Sequence, residues 1–260
     1  LKDIMTENVI YCHTSDDKED VARIINKYGF LALPVVDNED RLVGIVTVDD
    51  AMDVIQAENT EDIERIHAIV PSDKPYLKTG VISIFLHRLP WLLILMVSAT
   101  FTGLILNNYE EHLSVLGGSL LIACVPMLMD TGGNAGSQAC VTVIRGLALD
   151  QIRFKDLFRV QWKELRTGML LAISLGLVCF AKLTLVDRLL FGFAYTPMIA
   201  FIVSLSLAIT VIAAKFVGCS LPLIAKAVKL DPAVVASPII TTIVDALSLM
   251  VYCNIAIALL

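Results

Sequence analysis

The sequence predicts an α-helical membrane protein: five transmembrane helices preceded by a small cytosolic α/β module. Three observations carry that reading. Of the 260 residues, 57% are hydrophobic and 18% charged, whereas soluble domains are about 45–50% apolar and about 25% charged; the mean hydropathy is +0.76. Charge is segregated, with 17 acidic and 8 basic residues in 1–78 against 9 and 12 in 79–260. Apolar runs of the ~20 residues needed to cross a bilayer follow one another only in the second region. A pI near 5.2 and the lack of a Lys/Arg-rich block exclude nucleic acid as the main partner.

The elements follow in order. The chain opens with Leu1 in a charged stretch and not with a basic-apolar leader, as expected of a fragment of a longer protein. From Asp16 to Tyr28, Val21, Ile24, Ile25 and Tyr28 recur at helical spacing, with Ser15 available as a cap. Leu31 to Val36 and Leu42 to Val48 are β-branched runs split by Asp37-Asn38-Glu39-Asp40, which predicts a hairpin, with a second helix from about Asp50 to Gln56. Such a module is too small to be comfortable alone.

In this region Asp3-Ile4-Met5-Thr6, Leu33-Pro34-Val35-Val36-Asp37 and Leu42 through Asp50 resemble a cystathionine-β-synthase (CBS) motif. Such motifs work in pairs, and one is present. The resemblance implies that Thr47 and Asp50 face an adenosine ribose, so that ATP or another adenine nucleotide binds; the plainer alternative is that Asp50 caps the next helix.

Asp49, Asp50, Asp53, Glu58, Glu61, Asp62 and Glu64 place seven carboxylates within sixteen residues. A solvated helix face is one reading. The other is that the repulsion among them is relieved by Mg²⁺ or Ca²⁺, hard cations that prefer oxygen, held by Asp49, Asp50, Glu58, Glu61 and Asp62. Asp73 to Arg88 follows as an amphipathic connector with a basic edge, predicted to lie along the inner membrane surface. The chain thus divides into 1–57 (the α/β module), 58–88 (acidic linker and connector) and 89–260 (membrane domain).

Spans are expected at about 89–107, 113–144, 167–186, 197–226 and 233–260. The loop between spans two and three holds Arg145, Arg153, Lys155, Arg159, Lys163 and Arg166, and that between four and five holds Lys226 and Lys229, whereas 107–112 has no Lys or Arg. The positive-inside rule therefore gives a cytoplasmic N-terminus and an outer C-terminus, and a multi-pass protein of the cell membrane is expected. Five spans do not form a simple inverted repeat, so a pore more naturally lies between subunits.

Polar residues inside spans mark a pathway by default. In the fifth span Ser237, Thr241, Asp245, Ser248 and Tyr252 fall on one helical stripe with Asp245 near its middle, and a water-lined cation path satisfies that carboxylate. A carboxylate bonded to a neighbouring helix or paired with Lys182 or Lys215 is the alternative. In the second span Asp130, Asn134, Gln138 and Thr142 are spaced four apart through Gly132-Gly133 and Gly136, and the glycines permit either close helix packing or local unwinding.

Six scattered cysteines, five of them in apolar stretches, form neither a disulfide framework nor a zinc site. The four histidines are isolated, so there is no His-Glu-x-x-His motif, and the chain is not that metalloprotease.

Gly132 through Gln138, then Arg145-Gly146-Leu147-Ala148, Gly218-Cys219-Ser220-Leu221-Pro222, and Asp231-Pro232-Ala233 through Pro238, Thr242 and Asp245 occur in order over the membrane region, and the whole chain resembles the MgtE family of magnesium channels. The resemblance implies a homodimer with the pore on its two-fold axis, lined by spans two and five. Mg²⁺ would be held at Asp245 with Thr241, Ser237, Asn134 and Gly133, and cytosolic Mg²⁺ among the CBS and connector carboxylates would favour closure. It implies no enzymatic activity. Mn²⁺, Co²⁺ and Ca²⁺ are the competing ions, and a proton-coupled divalent cation exchanger is the alternative function. Ser248, where a glycine is common, and Lys215, where no charge is expected, depart from the family pattern.

Overall fold

The computed structural model describes residues 8–72, 75–117, 119–193, 195–234 and 237–260, without the side chains of 111–117, 119 and 237. Asp3 to Thr6 of the CBS motif, Asp73 and Lys74 of the connector, and the Ser237 side chain lie outside the described residues. The chain forms two compact units, residues 1–64 with 71–75 and residues 65–70 with 76–260.

In the first unit, β1 (Cys12–His13) pairs parallel to β2 (Ala32–Val36), and β2 pairs antiparallel to β3 (Leu42–Thr47) as the expected hairpin, with a bulge at Val35/Val36. Helix α1 (Lys18–Tyr28) is capped by Asp17, which accepts from the Glu19 N–H at 2.9 Å, and not by Ser15; Gly29, at φ 65°, ends it in the left-handed conformation that a glycine adopts without strain. The hairpin turn is built on Asp37, whose Oδ1 accepts from the N–H groups of Glu39 (2.9 Å) and Arg41 (3.0 Å). Val21, Ala22, Ile25, Leu33, Ala51 and Cys12 close a small core.

The second helix differs from its expected length. Helix α2 (Val48–Ile66) runs ten residues past Gln56, because nothing between Ala57 and Ile66 breaks a helix. Ala68, at φ 56°, turns the chain after it.

The second unit is a helical bundle. Helix α3 (Val81–Gly117) is continuous, so residues 81–88 of the expected surface connector and the first span form one helix. Pro90 does not break it. Next come α4 (Ser119–Ala148), α5 (Leu157–Ala181), a π-helical turn (Lys182–Val186), α6 (Asp187–Phe191), α7 (Pro197–Ala227) and α8 (Ser237–Leu259).

A repeat of five residues puts Lys182 and Asp187 side by side, and Lys182 Nζ donates to Asp187 Oδ2 at 2.8 Å.

Among the described residues four helices are long and apolar enough to cross a membrane: Val81–Glu110, Phe154–Phe191, Pro197–Ala227 and Pro238–Leu259. Helix α4 is 30 residues long, but Asp130 through Gln138 dilutes its hydropathy. Helix α7 lies innermost, with Ile202, Val203, Leu207, Val211 and Ala214 fully buried, and packs against α4, α5 and α8. Helix α3 is peripheral and turns Leu92, Leu93, Ile94, Met96 and Phe101 outward, as a lipid-facing helix does.

Candidate functional site

The polar stretch of α4 stays helical throughout, so its glycines serve packing and not unwinding. Gly132, Gly133 and Gly136 face α7 and α8: a Cβ on Gly132 would lie 2.7 Å from both Ser248 Oγ and Thr210 Cγ2, and one on Gly136 would lie 3.2 Å from the Ala214 carbonyl oxygen. Ser248 therefore fills space that Gly132 leaves open. The Ser248 hydroxyl donates to the Val244 carbonyl at 2.5 Å.

On the other face of α4, Asp130, Asn134, Gln138 and Thr142 are all exposed on the surface of the single chain. Such a row of carboxylate, amide and hydroxyl groups is satisfied by water or by another protein surface against it.

The stripe on α8 divides. Thr241 and Asp245 are half-buried, while Ser248 and Tyr252 turn into the core, where the Tyr252 hydroxyl donates to the Leu121 carbonyl at 2.8 Å. The straight polar row expected down the whole span is thus interrupted by packing against α4. Thr241 and Thr242 both donate to the Pro238 carbonyl, at 2.9 and 3.0 Å. Gly133 meets this stripe: a Cβ there would lie 3.3 Å from Thr241 Cγ2 and 3.6 Å from Asp245 Oδ1.

Asp245 opens on a cleft of about 260 Å³ between α3, α4 and α8, lined by Thr102, Gly103, Met129, Thr242, Asp245 and Leu249. No described side chain forms an ion pair with Asp245, because both lysines that could reach the interior are engaged elsewhere: Lys182 with Asp187, and Lys215 with Glu164 at 3.5 Å. The Lys215 side chain is 7% exposed. It neither faces the cleft nor snorkels to the surface. Thr102 and Gly103 were not among the expected residues; Thr102 follows Ser98 and Thr100 as one of three hydroxyl side chains at two-residue spacing in that helix.

The carboxylates of the acidic run disperse along α2. Asp49 and Asp50 are exposed at its start, and the Thr47 hydroxyl donates to Asp50 Oδ2 at 2.7 Å. Glu58 pairs with Lys18 at 2.9 Å, and that pairing raises the pKa of the lysine. Asp53, Glu61 and Glu64, with Thr60 and Ser72, line a cleft of about 500 Å³. Asp62 is half-buried. Among the described residues no three His, Cys, Asp or Glu side chains converge as a metal-ligand set. A second cleft of about 260 Å³, lined by His13, Thr14, Asp16, Val46 and Asp50, lies beside the sheet.

Among the described residues, long apolar helices surround a half-buried carboxylate that has oxygen-bearing side chains and no ion-paired cation beside it, a setting suited to a positive ion. Comparison with known proteins gives the family. Residues 125–255 match the MgtE family, described as a divalent cation transporter, and residues 1–57 match the CBS domain. The magnesium transporter MgtE of Thermus thermophilus is 38% identical over 260 residues, all of this chain and 56% of the relative. The magnesium transporter MgtE of Bacillus subtilis is 36% identical over 258 residues, 99% of this chain and 55% of the relative. That of Enterococcus faecalis is 32% identical over 256 residues, 98% of this chain and 54% of the relative.

The chain belongs to the MgtE family, whose members are transporters and not enzymes. It spans about half the length of the curated relatives it matches.

Proposed function

We propose that this chain supplies the second CBS motif and the five-span membrane domain of a Mg²⁺ channel that works as a homodimer. The observation that carries this is Asp245: a half-buried carboxylate beside Gly133 and Thr241, open to a cleft, with both candidate lysines already neutralised.

Two copies of Asp245 meeting on a dimer axis would set up to two negative charges against one Mg²⁺. Mg²⁺ dehydrates reluctantly, so Asn134, Thr241 and Ser237 would act through its waters, and weak water-mediated contacts allow exit as well as entry. The outward row on α4 would face the partner across a water-filled path. The N-terminus is cytoplasmic and the C-terminus outside.

Cytosolic Mg²⁺ favours closure by neutralising α2. Such an ion keeps most of its waters and needs only one or two carboxylates, so the dispersed set of Asp49, Asp50, Glu58, Glu61 and Asp62 serves without a closed cage. An adenine nucleotide would sit beside Thr47 and Asp50.

Mg²⁺ uptake into liposomes tests the reading, with wild type and Asp245→Asn compared at two imposed pH gradients. A channel with Asp245 in its pore loses uptake on substitution and ignores the gradient. Uptake that follows the gradient would make the protein a proton-coupled exchanger, and unchanged uptake in Asp245→Asn would remove that residue from the path.

A further inference from the structure

Helix α7 meets two neighbours on different faces. Towards α4, Thr210, Ala214 and Gly218, spaced four apart, seat against Gly132 and Gly136, and a Cβ on Gly218 would overlap the Gly136 backbone. Towards α5, Lys215 lies over Gly168, where a Cβ would be 3.6 Å from Lys215 Cβ. Its ammonium is 3.5 Å from Glu164, with side chains 7% and 15% exposed, and one turn further on Gln161 donates to Ser220 Oγ at 3.0 Å.

Seams of small residues let helices approach closely but impose little directional preference. A buried ion pair does impose one. Turning α7 so that Lys215 left Glu164 would strand two charges in a low-dielectric interior, and would also carry Thr210, Ala214 and Gly218 off the α4 glycines. Glu164 Oε2 makes no hydrogen bond among the described residues, so charge rather than hydrogen-bond geometry holds it.

We infer that Glu164 and Lys215 form a positioning pair for the pore: their ion pair sets the rotation of α7 and, through the contact of Gly218 with Gly136, the placement of Gly133 beside Asp245. This rests on Asp245 being the pore carboxylate. It also gives Lys215, a charge the family pattern does not call for, its partner and its task.

The test uses the full chain in liposomes, with Mg²⁺ uptake and the ratio of Mg²⁺ to Ca²⁺ uptake as readouts, and thermal unfolding in detergent alongside. E164Q and K215M should each lower Mg²⁺ uptake about tenfold or more and shift the ratio, since each leaves a buried charge alone. The swap E164K/K215E should restore both to within about threefold of wild type, because the attraction is preserved, and K215R should resemble wild type even if K215M fails to fold.

Single variants with wild-type uptake and ratio would overturn the inference. So would a fall in uptake that tracks the unfolding temperature with the ratio unchanged, a swap that restores nothing, or a K215R as impaired as K215M. If the pair variants behave as expected while Asp245→Asn conducts normally, it is the pore assignment that fails; coupling between Glu164 and Lys215 in the unfolding temperatures reports on the pair independently of transport.

Discussion

At the scale of single residues, backbone clearance and hydrogen bonding make sharp demands. Gly218 lies so close to Gly136 that a methyl group cannot enter, whereas Gly103 has nothing within 4 Å of its would-be Cβ. Gly218→Ala should cost about 1–3 kcal/mol of stability as α7 is pushed from α4, and Gly103→Ala should be close to neutral; thermal unfolding in detergent separates the two.

Asp37 makes a different demand. The backbone N–H of Arg41 holds its carboxyl below the usual carboxylate range, helped by the Glu39 N–H and the Arg41 side chain. A depressed carboxylate contributes stability that is complete above its unfolded pKa and drains away as the pH falls below about 4. Amides of β2 and β3 should therefore exchange faster with solvent below about pH 4, after correction for intrinsic rates, and Asp37→Asn should remove most of that pH dependence.

At the scale of elements, α1 depends on a cap that the sequence alone misplaced. Both Ser15 and Asp17 can accept from a helix N-terminus, and only the backbone path decides between them: Asp17 sits at φ −66°, ψ 135°, the extended conformation of a capping residue. Asp17→Ala should cost about 1 kcal/mol, read as loss of exchange protection in α1, and Ser15→Ala should cost little. Helix α2 was expected to be short because the acidic run looked like a linker. Charge does not break a helix, and no glycine or proline interrupts 57–66. The same holds for α3, where Pro90 is carried without a break.

At the scale of the whole molecule, the outward row of Asp130, Asn134, Gln138 and Thr142 asks for a partner surface. All six cysteines are buried and free, so an introduced thiol would react against a quiet background. A cysteine at Thr142 should cross-link two copies in membranes on mild oxidation, while one at Leu177, exposed on α5, should not. Cross-linking at Leu177 alone would place the subunit contact on another face.

The composition determined that this chain lives in a membrane, and alternation and helical spacing determined the hairpin, α1 and the long apolar helices, because burial of apolar side chains follows local periodicity. The string from Gly132 to Gln138 and the isolated Asp245 stood out as candidates, since polar atoms in a bilayer span need a reason.

What remained undecided was which face each residue presents and which partner it meets. Ser248 and Tyr252 share a stripe with Asp245 by spacing, yet they turn into the core against Gly132 and Leu121. Lys215 could have met Asp245, water or the headgroups, and it meets Glu164, fifty-one residues earlier in the chain. Helical periodicity fixes angles about one axis, whereas pairing between helices depends on how closely their backbones approach, and that is settled only when the glycines of α4 and α7 are in contact.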